Sequence, residues 1–343
     1  MNPVRVAVLG TGGVVRTFHL PALAANPRAR VVALGNLRAA SLEPRARRYA
    51  VAKTYTDLDR LADDPDIDAV VLALPNYLHA PVSVQMLRGG KHVLCEKPMA
   101  LSSADARAMV AAAEASGRVL MVAHVWRSHP AVRWLRDVVQ AGRLGKVLKV
   151  RAHAVVAGRG PPADSWFLRR ETAGGGALAD VGVHSLDMVS FLFGDRLRPL
   201  HVAARLGNHF RDLEVEDTAD VRVQFDGGPV LELAAGWYHG HAEAPHGAVE
   251  LFGTDGYART MPAQLKCPVE GVWGTFSPAF AADHPDADLG VFAAQMDHFL
   301  DCVSGGAAPV CDGRQGLWDV TLLEAAYQAA RRESRAGAEL AAR

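Results

Sequence analysis

Val4-Arg-Val-Ala-Val-Leu-Gly-Thr-Gly-Gly-Val-Val15 decides how the rest of the chain is read. Val4 to Val8 is apolar except for Arg5, the signature of a buried parallel strand. Gly10, Gly12 and Gly13 follow at once, and a helical pattern then runs from about Val14 to Ala25, with Leu20, Leu23 and Ala24 able to face a sheet. Strand, glycine turn and helix open a dinucleotide-binding βαβ unit. Gly10 permits the tight turn, Gly12 lets the backbone approach a pyrophosphate, and the helix offers free N–H groups to that anion. The third glycine slot of the fingerprint holds Val15. The plainer alternative is an ordinary βα turn.

Val31-Val-Ala-Leu-Gly35 reads as the second strand. In an NAD-binding unit a carboxylate at its end accepts hydrogen bonds from the ribose hydroxyls. Asn36 stands there instead, with Arg38 two residues on and Ser41 and Arg45 beyond. Without a carboxylate to repel a 2′-phosphate, and with a guanidinium to bind it, the expected cofactor is NADP, with NAD as the second choice. Otherwise, Arg38 is a solvated surface charge.

The remaining bulk properties bound the function. At 343 residues, two domains are the default. With 37 Lys+Arg against 37 Asp+Glu, the balanced charge argues against a nucleic-acid or membrane-surface partner. No apolar run approaches the ~20 residues a spanning helix needs, and Gly10 cuts the first apolar stretch short, so a cytoplasmic protein is expected. Cys95, Cys267, Cys302 and Cys311 lack metal or redox spacing and read as free thiols. The Ala/Arg-rich tail from Arg331 to Arg343 is expected to fray.

Helical patterns follow at Leu42–Ala50 and Asp57–Ala62, then Ala69-Val-Val-Leu-Ala-Leu74 forms another buried strand. It ends in Pro75-Asn-Tyr-Leu-His79, which puts Asn76 and His79 at the carboxyl edge of a parallel sheet, where such sheets bind ligands. Asn76 as a plain helix cap is the competing reading. The strand His92-Val-Leu-Cys95 runs into Glu96-Lys97-Pro98. A lysine at this edge is placed for proton transfer, and partial burial would lower its pKa toward neutrality. Pro98 allows a cis bond that would fix its direction. A surface Glu-Lys pair is the commoner fate of such residues. A helix from Ser103 to Ser116 and the strand Val119–Val122 complete a parallel, doubly wound sheet.

Gly10-Thr-Gly-Gly13, Pro75-Asn76-x-x-His79 and Glu96-Lys97-Pro98, in this order, resemble the Gfo/Idh/MocA family, with Glu-Lys-Pro its most specific mark. The resemblance implies that Lys97 touches both the nicotinamide and the substrate hydroxyl, and that Glu96 helps to hold the cofactor. It also places Arg127, within His124-Val-Trp-Arg-Ser-His-Pro130, near the cleft, with domain packing as the alternative. Trp166 matches a Trp-Arg pair of related proteins, but Phe167 replaces the arginine.

Gly174-Gly-Gly-Ala-Leu-Ala-Asp-Val-Gly-Val-His-Ser-Leu-Asp187 is the third diagnostic stretch. Asp180, His184 and Asp187 are spaced to share a helical face, and polar groups on an apolar helix need partners or a purpose. A histidine beside a carboxylate and a lysine makes a proton relay. The family pattern carries the catalytic roles to Asp180 and His184 beside Lys97, and leaves Asp187 structural or substrate-orienting. A zinc site and a satisfied core histidine are the alternatives; no metal is expected.

Beyond His201 the pattern turns to strands, Val202–Leu206, Thr218–Phe225, Val230–Tyr238 and Ala248–Phe252, with helices at Val291–Ser304 and Gln315–Arg332. His239, His241 and His246 read as a solvated loop rather than a metal site.

The expected fold is an α/β N-terminal Rossmann domain (1–122) followed by an α+β C-terminal domain (123–343) with a large open, mostly antiparallel sheet. That sheet is expected to join a homodimer or homotetramer. The expected cofactor-binding set is Gly10, Thr11, Gly12, Gly13, Val14, Asn36, Arg38, Ser41, Leu74, Pro75, Asn76, His79, Glu96, Lys97, His124 and Trp166. Substrate is expected at Lys97, Arg127, Asp180 and His184. These assignments describe an NADP-preferring oxidoreductase acting on a secondary alcohol or ketone of a sugar, cyclitol or related polyol. A glycosidase of the same fold with retained NAD, and a non-catalytic NADPH-binding protein, are the alternatives.

Overall fold

The computed structural model describes residues 2–156, 158, 160–194, 197–240, 247–280 and 288–341. They form two compact units: residues 2–128 with 288–320, and residues 129–280 with 321–341.

The first unit is built on strands β1 (Val4–Leu9), β2 (Ala29–Gly35), β3 (Lys53–Tyr55), β4 (Ala69–Leu72), β5 (His92–Cys95) and β6 (Leu120–Val122). They pair in parallel in the order β3-β2-β1-β4-β5-β6. This order reverses beside β1, so the loops after β1 and β4 open a ligand crevice. Arg5 is tolerated in β1 because its Nη2 and Nε donate to Asp68 at 2.7 and 3.0 Å. The helix expected from Val14 to Ala25 is divided into a π-helical turn, Val15–His19, and an α-helix, Leu20–Ala24. Pro21 has no N–H to give to the carbonyl four residues back, and the wide turn falls there. Val15, in the third glycine slot, is wholly buried in this turn.

The domain boundary expected at residue 122 meets a returning segment. Met296, Phe299 and Leu300 of helix Leu289–Val303 join Val6, Val8, Val15 and Leu20 in one apolar cluster. They cover a face of the parallel sheet that residues 1–122 leave unfilled, which is why 288–320 belongs to the first unit.

The second unit carries β7 (Val147–Val155), β8 (Pro199–Gly207), β9 (Thr218–Phe225), β10 (Val230–Gly236), β11 (Ala248–Gly253), β12 (Tyr257–Thr260), β13 (Ala263–Val269) and β14 (Val272–Phe276). Their order is β14-β13-β12-β11-β7-β10-β9-β8. The β7–β10 pair is parallel and the others are antiparallel, so the sheet is mixed and mostly antiparallel. The stretch Arg170–Phe193 is long and apolar enough to cross a membrane by composition, contrary to the reading above, but 89% of its apolar window is buried, as befits a core helix. The final helix runs from Gly313 to Ala341, so the expected fraying from Arg331 is not seen within the described residues. Residues 342 and 343 lie outside them. All four cysteines are buried and none forms a disulfide among the described residues.

Candidate active site

In the first unit the glycines of the β1 turn divide the work. Gly10 has φ +107°, and a Cβ there would overlap the Ala73 carbonyl after β4. No residue but glycine permits that approach. A Cβ on Gly12 or Gly13 would meet nothing within 4 Å, so these two leave open space beside the start of the helix, with Thr11 and Val14 at its margins. This is the room a pyrophosphate needs. At the end of β2, Asn36 Nδ2 donates to Thr11 Oγ1 and Ser41 Oγ, both at 2.7 Å, and Ser41 Oγ donates to the Arg38 carbonyl at 2.7 Å. The Arg38 side chain is exposed beside this neutral cluster.

Leu74, Pro75 and Asn76 follow β4 as expected, with Asn76 buried in the short turn Asn76–Leu78. Asn76 is not the side-chain cap of that turn or of the helix His79–Arg88. His79 lies between two backbone carbonyls. Its Nδ1 lies 2.8 Å from Pro98 O and its Nε2 2.9 Å from Leu74 O. The ring is buried, which lowers its pKa. A neutral imidazole has a single N–H, so His79 donates to one of these carbonyls while its other nitrogen lies against the second, and the ring sits between the two loops.

Glu96-Lys97-Pro98 leaves β5 at this edge with a cis Lys97–Pro98 bond. Glu96 Oε2 accepts the Lys97 N–H at 3.1 Å, and Glu96 Oε1 lies 2.7 Å from His19 Nε2. Burial pushes the Glu96 carboxyl up, but the His19 hydrogen bond and the nearby charges outweigh it and hold it below its ordinary range.

Two further residues are buried. Arg127 is fully buried, with Nη1 donating to Val310 O at 2.5 Å and Gln315 Oε1 at 2.9 Å. It ties the returning segment to the turn Val125–Ser128, the packing role weighed for it above. His124 is buried in the same region, its Nε2 3.4 Å from Asp319 Oδ2, an interior pair rather than a surface for a cofactor.

The second unit presents the glycine-rich stretch. Gly174 adopts φ +84°. A Cβ on Gly175 would overlap the Tyr327 hydroxyl, and one on Gly176 the Glu216 carbonyl. Close approach, more than turning, is what demands this run. Glu216 is the anchor: its Oε1 accepts Gly176 N–H at 2.9 Å, Leu178 N–H at 3.1 Å and Tyr327 O–H at 2.7 Å. Burial drives its pKa up against these bonds. The chain then makes a π-turn, Leu178–Gly182, and an α-helix, Val183–Phe193. Asp180 lies in the π-turn and accepts the Trp237 indole N–H on Oδ2 at 3.1 Å. His184 and Asp187 are buried in the helix. Trp166 stacks on Phe167 at 3.9 Å, so the ring that replaces the arginine packs against the tryptophan. His239 contacts Phe210 and Thr218, while His241 and His246 lie outside the described residues.

Glu216, Tyr327, Trp237 and His19 were not among the residues singled out from sequence. Only their burial and partners reveal them, and no local motif marks them.

Comparison with known proteins agrees with this arrangement. A family described as an oxidoreductase family with an NAD-binding Rossmann fold matches residues 4–124, and the GFO/IDH/MocA C-terminal domain matches residues 132–259. The 1,5-anhydro-D-fructose reductase of Ensifer adhaerens is 30% identical over 95% of this chain and 96% of its own. The D-xylose 1-dehydrogenase [NADP(+)] of Haloarcula marismortui is 27% identical over 97% and 92%. The crystal structure of an aldose-aldose oxidoreductase from Caulobacter crescentus complexed with glycerol is 30% identical with a TM-score of 0.82, covering 97% of this chain and 98% of that one. The chain belongs to the Gfo/Idh/MocA family, as a sugar oxidoreductase with an NAD(P)-binding Rossmann domain.

Proposed function

We propose that the protein is an NADP-preferring dehydrogenase or reductase acting on a secondary alcohol or ketone carbon of a sugar, cyclitol or related polyol. The observation that carries the cofactor choice is the neutral Asn36–Thr11–Ser41 cluster with the exposed Arg38 beside it. It offers a 2′-phosphate hydroxyl and amide partners and a guanidinium, and no carboxylate to repel it. The open space over Gly12 and Gly13 suits the pyrophosphate, since a side chain on either would fill it. A bound nicotinamide supplies or accepts the hydride.

Lys97 gives the proton to the carbonyl oxygen in reduction and takes it from the hydroxyl in oxidation. Asp180 and His184 orient the substrate and share the proton. Trp237 keeps the Asp180 carboxylate in one orientation. The exposed face of the second sheet, which carries Arg151, Arg205 and Arg222 beside Asp220 and Glu232, supports self-association through matching charges.

The test is a fluorescence titration with NADPH and NADH side by side, repeated on Arg38→Ala. Tighter NADPH binding that disappears in the variant supports the reading, and preference for NADH overturns the choice of cofactor. Lys97→Ala should keep cofactor binding and lose turnover by ~10²-fold or more.

A further inference from the structure

His19 has no role in the reading above, yet it is joined to the lysine by two hydrogen bonds. It closes the π-turn that follows the dinucleotide glycines, and its ring is almost wholly buried. A buried carboxylate is costly unless its oxygens are satisfied. Glu96 divides its two oxygens: Oε1 lies 2.7 Å from His19 Nε2, and Oε2 accepts the main-chain N–H of Lys97 at 3.1 Å. The imidazole is itself held in place. Phe292 meets it edge-to-face at 5.5 Å and stacks on Phe18 at 4.2 Å. Beyond the lysine, Pro98 O lies 2.8 Å from His79 Nδ1. Both chain neighbours of Lys97 therefore lie against buried imidazoles.

We propose that His19 is a positioning residue for Lys97: it fixes Glu96, and Glu96 fixes the peptide from which the lysine side chain extends. One hydrogen-bonded chain then sets both the helix behind the glycine turn and the direction of the amine. The inference rests on the proton-transfer role given to Lys97 above. A displacement of about 1 Å at such a group costs up to ~10²-fold in rate, so a brace this far from the substrate affects turnover.

The experiment uses the full chain and the variants His19→Leu, His19→Gln, Glu96→Gln, His19→Leu/Glu96→Gln and Lys97→Ala. Turnover is measured with 1,5-anhydro-D-fructose plus NADPH and with D-xylose plus NADP⁺. The rate of reductive methylation of Lys97 is read by mass spectrometry without cofactor or sugar. His19→Leu should lower kcat at least ~10-fold with KM and NADPH affinity within about threefold, and change the Lys97 methylation rate at least threefold. His19→Gln, which keeps an N–H donor, should recover most of both. The double variant should be no worse than His19→Leu, because both changes cut the same chain.

A His19→Leu protein with a lowered melting temperature but unchanged methylation and kcat would make His19 merely structural and overturn the proposal. Additive losses in the double variant would do the same. Unimpaired turnover in Lys97→Ala would instead refute the proton-transfer role, while the methylation rates would still decide whether His19 holds the lysine.

Discussion

Tyr327→Phe removes one hydroxyl from the last helix and should destabilise the second unit in a pH-dependent way. The Tyr327 hydroxyl donates to Glu216 Oε1 at 2.7 Å, and the same oxygen takes the N–H groups of Gly176 and Leu178. Burial beside this carboxylate holds the phenol well above 10, so it remains a donor throughout the working range. Burial likewise raises the Glu216 pKa in the folded protein. An acid with a raised folded pKa is most stabilising below its unfolded value, near 4.3, and loses that contribution as pH rises through the folded value. Removing a donor to the charged form raises the folded pKa further. The cost of the substitution is therefore greater in alkali, about 2 kcal/mol where the carboxyl is ionised, than in acid, about 1 kcal/mol where it is neutral and only a neutral hydrogen bond is lost. For a unit of about 180 residues this corresponds to a fall in Tm of about 4–8 °C at the higher pH and about 2–4 °C at the lower. Thermal unfolding followed by tryptophan fluorescence in alkali and in acid measures it. Equal losses at both, or a larger loss in acid, would refute the assignment of Glu216 as a buried carboxylate held by Tyr327.

Other outcomes follow from the same contacts. Trp237→Phe keeps the buried ring but removes the N–H to Asp180, so steady-state kinetics should show kcat about tenfold lower with Tm little changed; unchanged kcat would remove Trp237 from the site. Gly12→Ala adds a Cβ that meets no protein atom, so Tm should hold while affinity for NADPH falls at least ~10-fold by titration. Gly10→Ala, with φ +107° and a carbonyl in the way, should lower Tm instead. Asp64 loses some affinity for its charge through burial, but Lys53 and Tyr55 outweigh that and bring its pKa to about 2. Its contribution is present above the unfolded value and lost as pH falls from about 4 to 2. Asp64→Asn should therefore cost about 1–2 kcal/mol in urea unfolding at pH 7 and almost nothing near pH 2.

The parallel sheet was legible because its strands are continuous apolar runs and its turns carry glycine at fixed offsets, as at Val4–Gly13 and Ala69–Pro75. The returning segment was not. Helix Leu289–Val303 has an ordinary amphipathic pattern, and nothing in Met296 or Phe299 tells which sheet they will cover. Strands β12 to β14 were missed although Ala263–Val269 alternates: β12 is only four residues long, Pro262 and Pro268 interrupt the stretch, and β14 carries Gly274 and is mostly exposed. At the site, the sequence reading marked Asn36, Lys97, Asp180 and His184 from their place at strand ends or on a polar helical face. Arg127 and His79, placed beside the cleft by the same reasoning, both lie against backbone carbonyls. A polar residue beside a cleft and one spent on backbone carbonyls look the same until their partners are seen.

Three of the residues that escaped the sequence reading have one property in common: each donates to, or lies against, a carboxylate. His19 reaches Glu96, Tyr327 reaches Glu216, and Trp237 reaches Asp180. Every partner is a carboxylate, the group whose direction is least fixed by packing alone, because rotation about its last torsion is broad. A donor at hydrogen-bond distance removes that freedom, and burial of the donor keeps water from competing. The glycines show the complementary device. Gly176 brings its N–H to Glu216 only because it has no Cβ, so the run that permits close approach also supplies two of the carboxylate's donors through the main chain from Gly176 to Leu178. The proposed acid–base and orienting groups thus stand on supports made of backbone N–H groups and aromatic or imidazole donors. Substitutions at those supports should change rates through geometry while the reactive groups themselves remain intact.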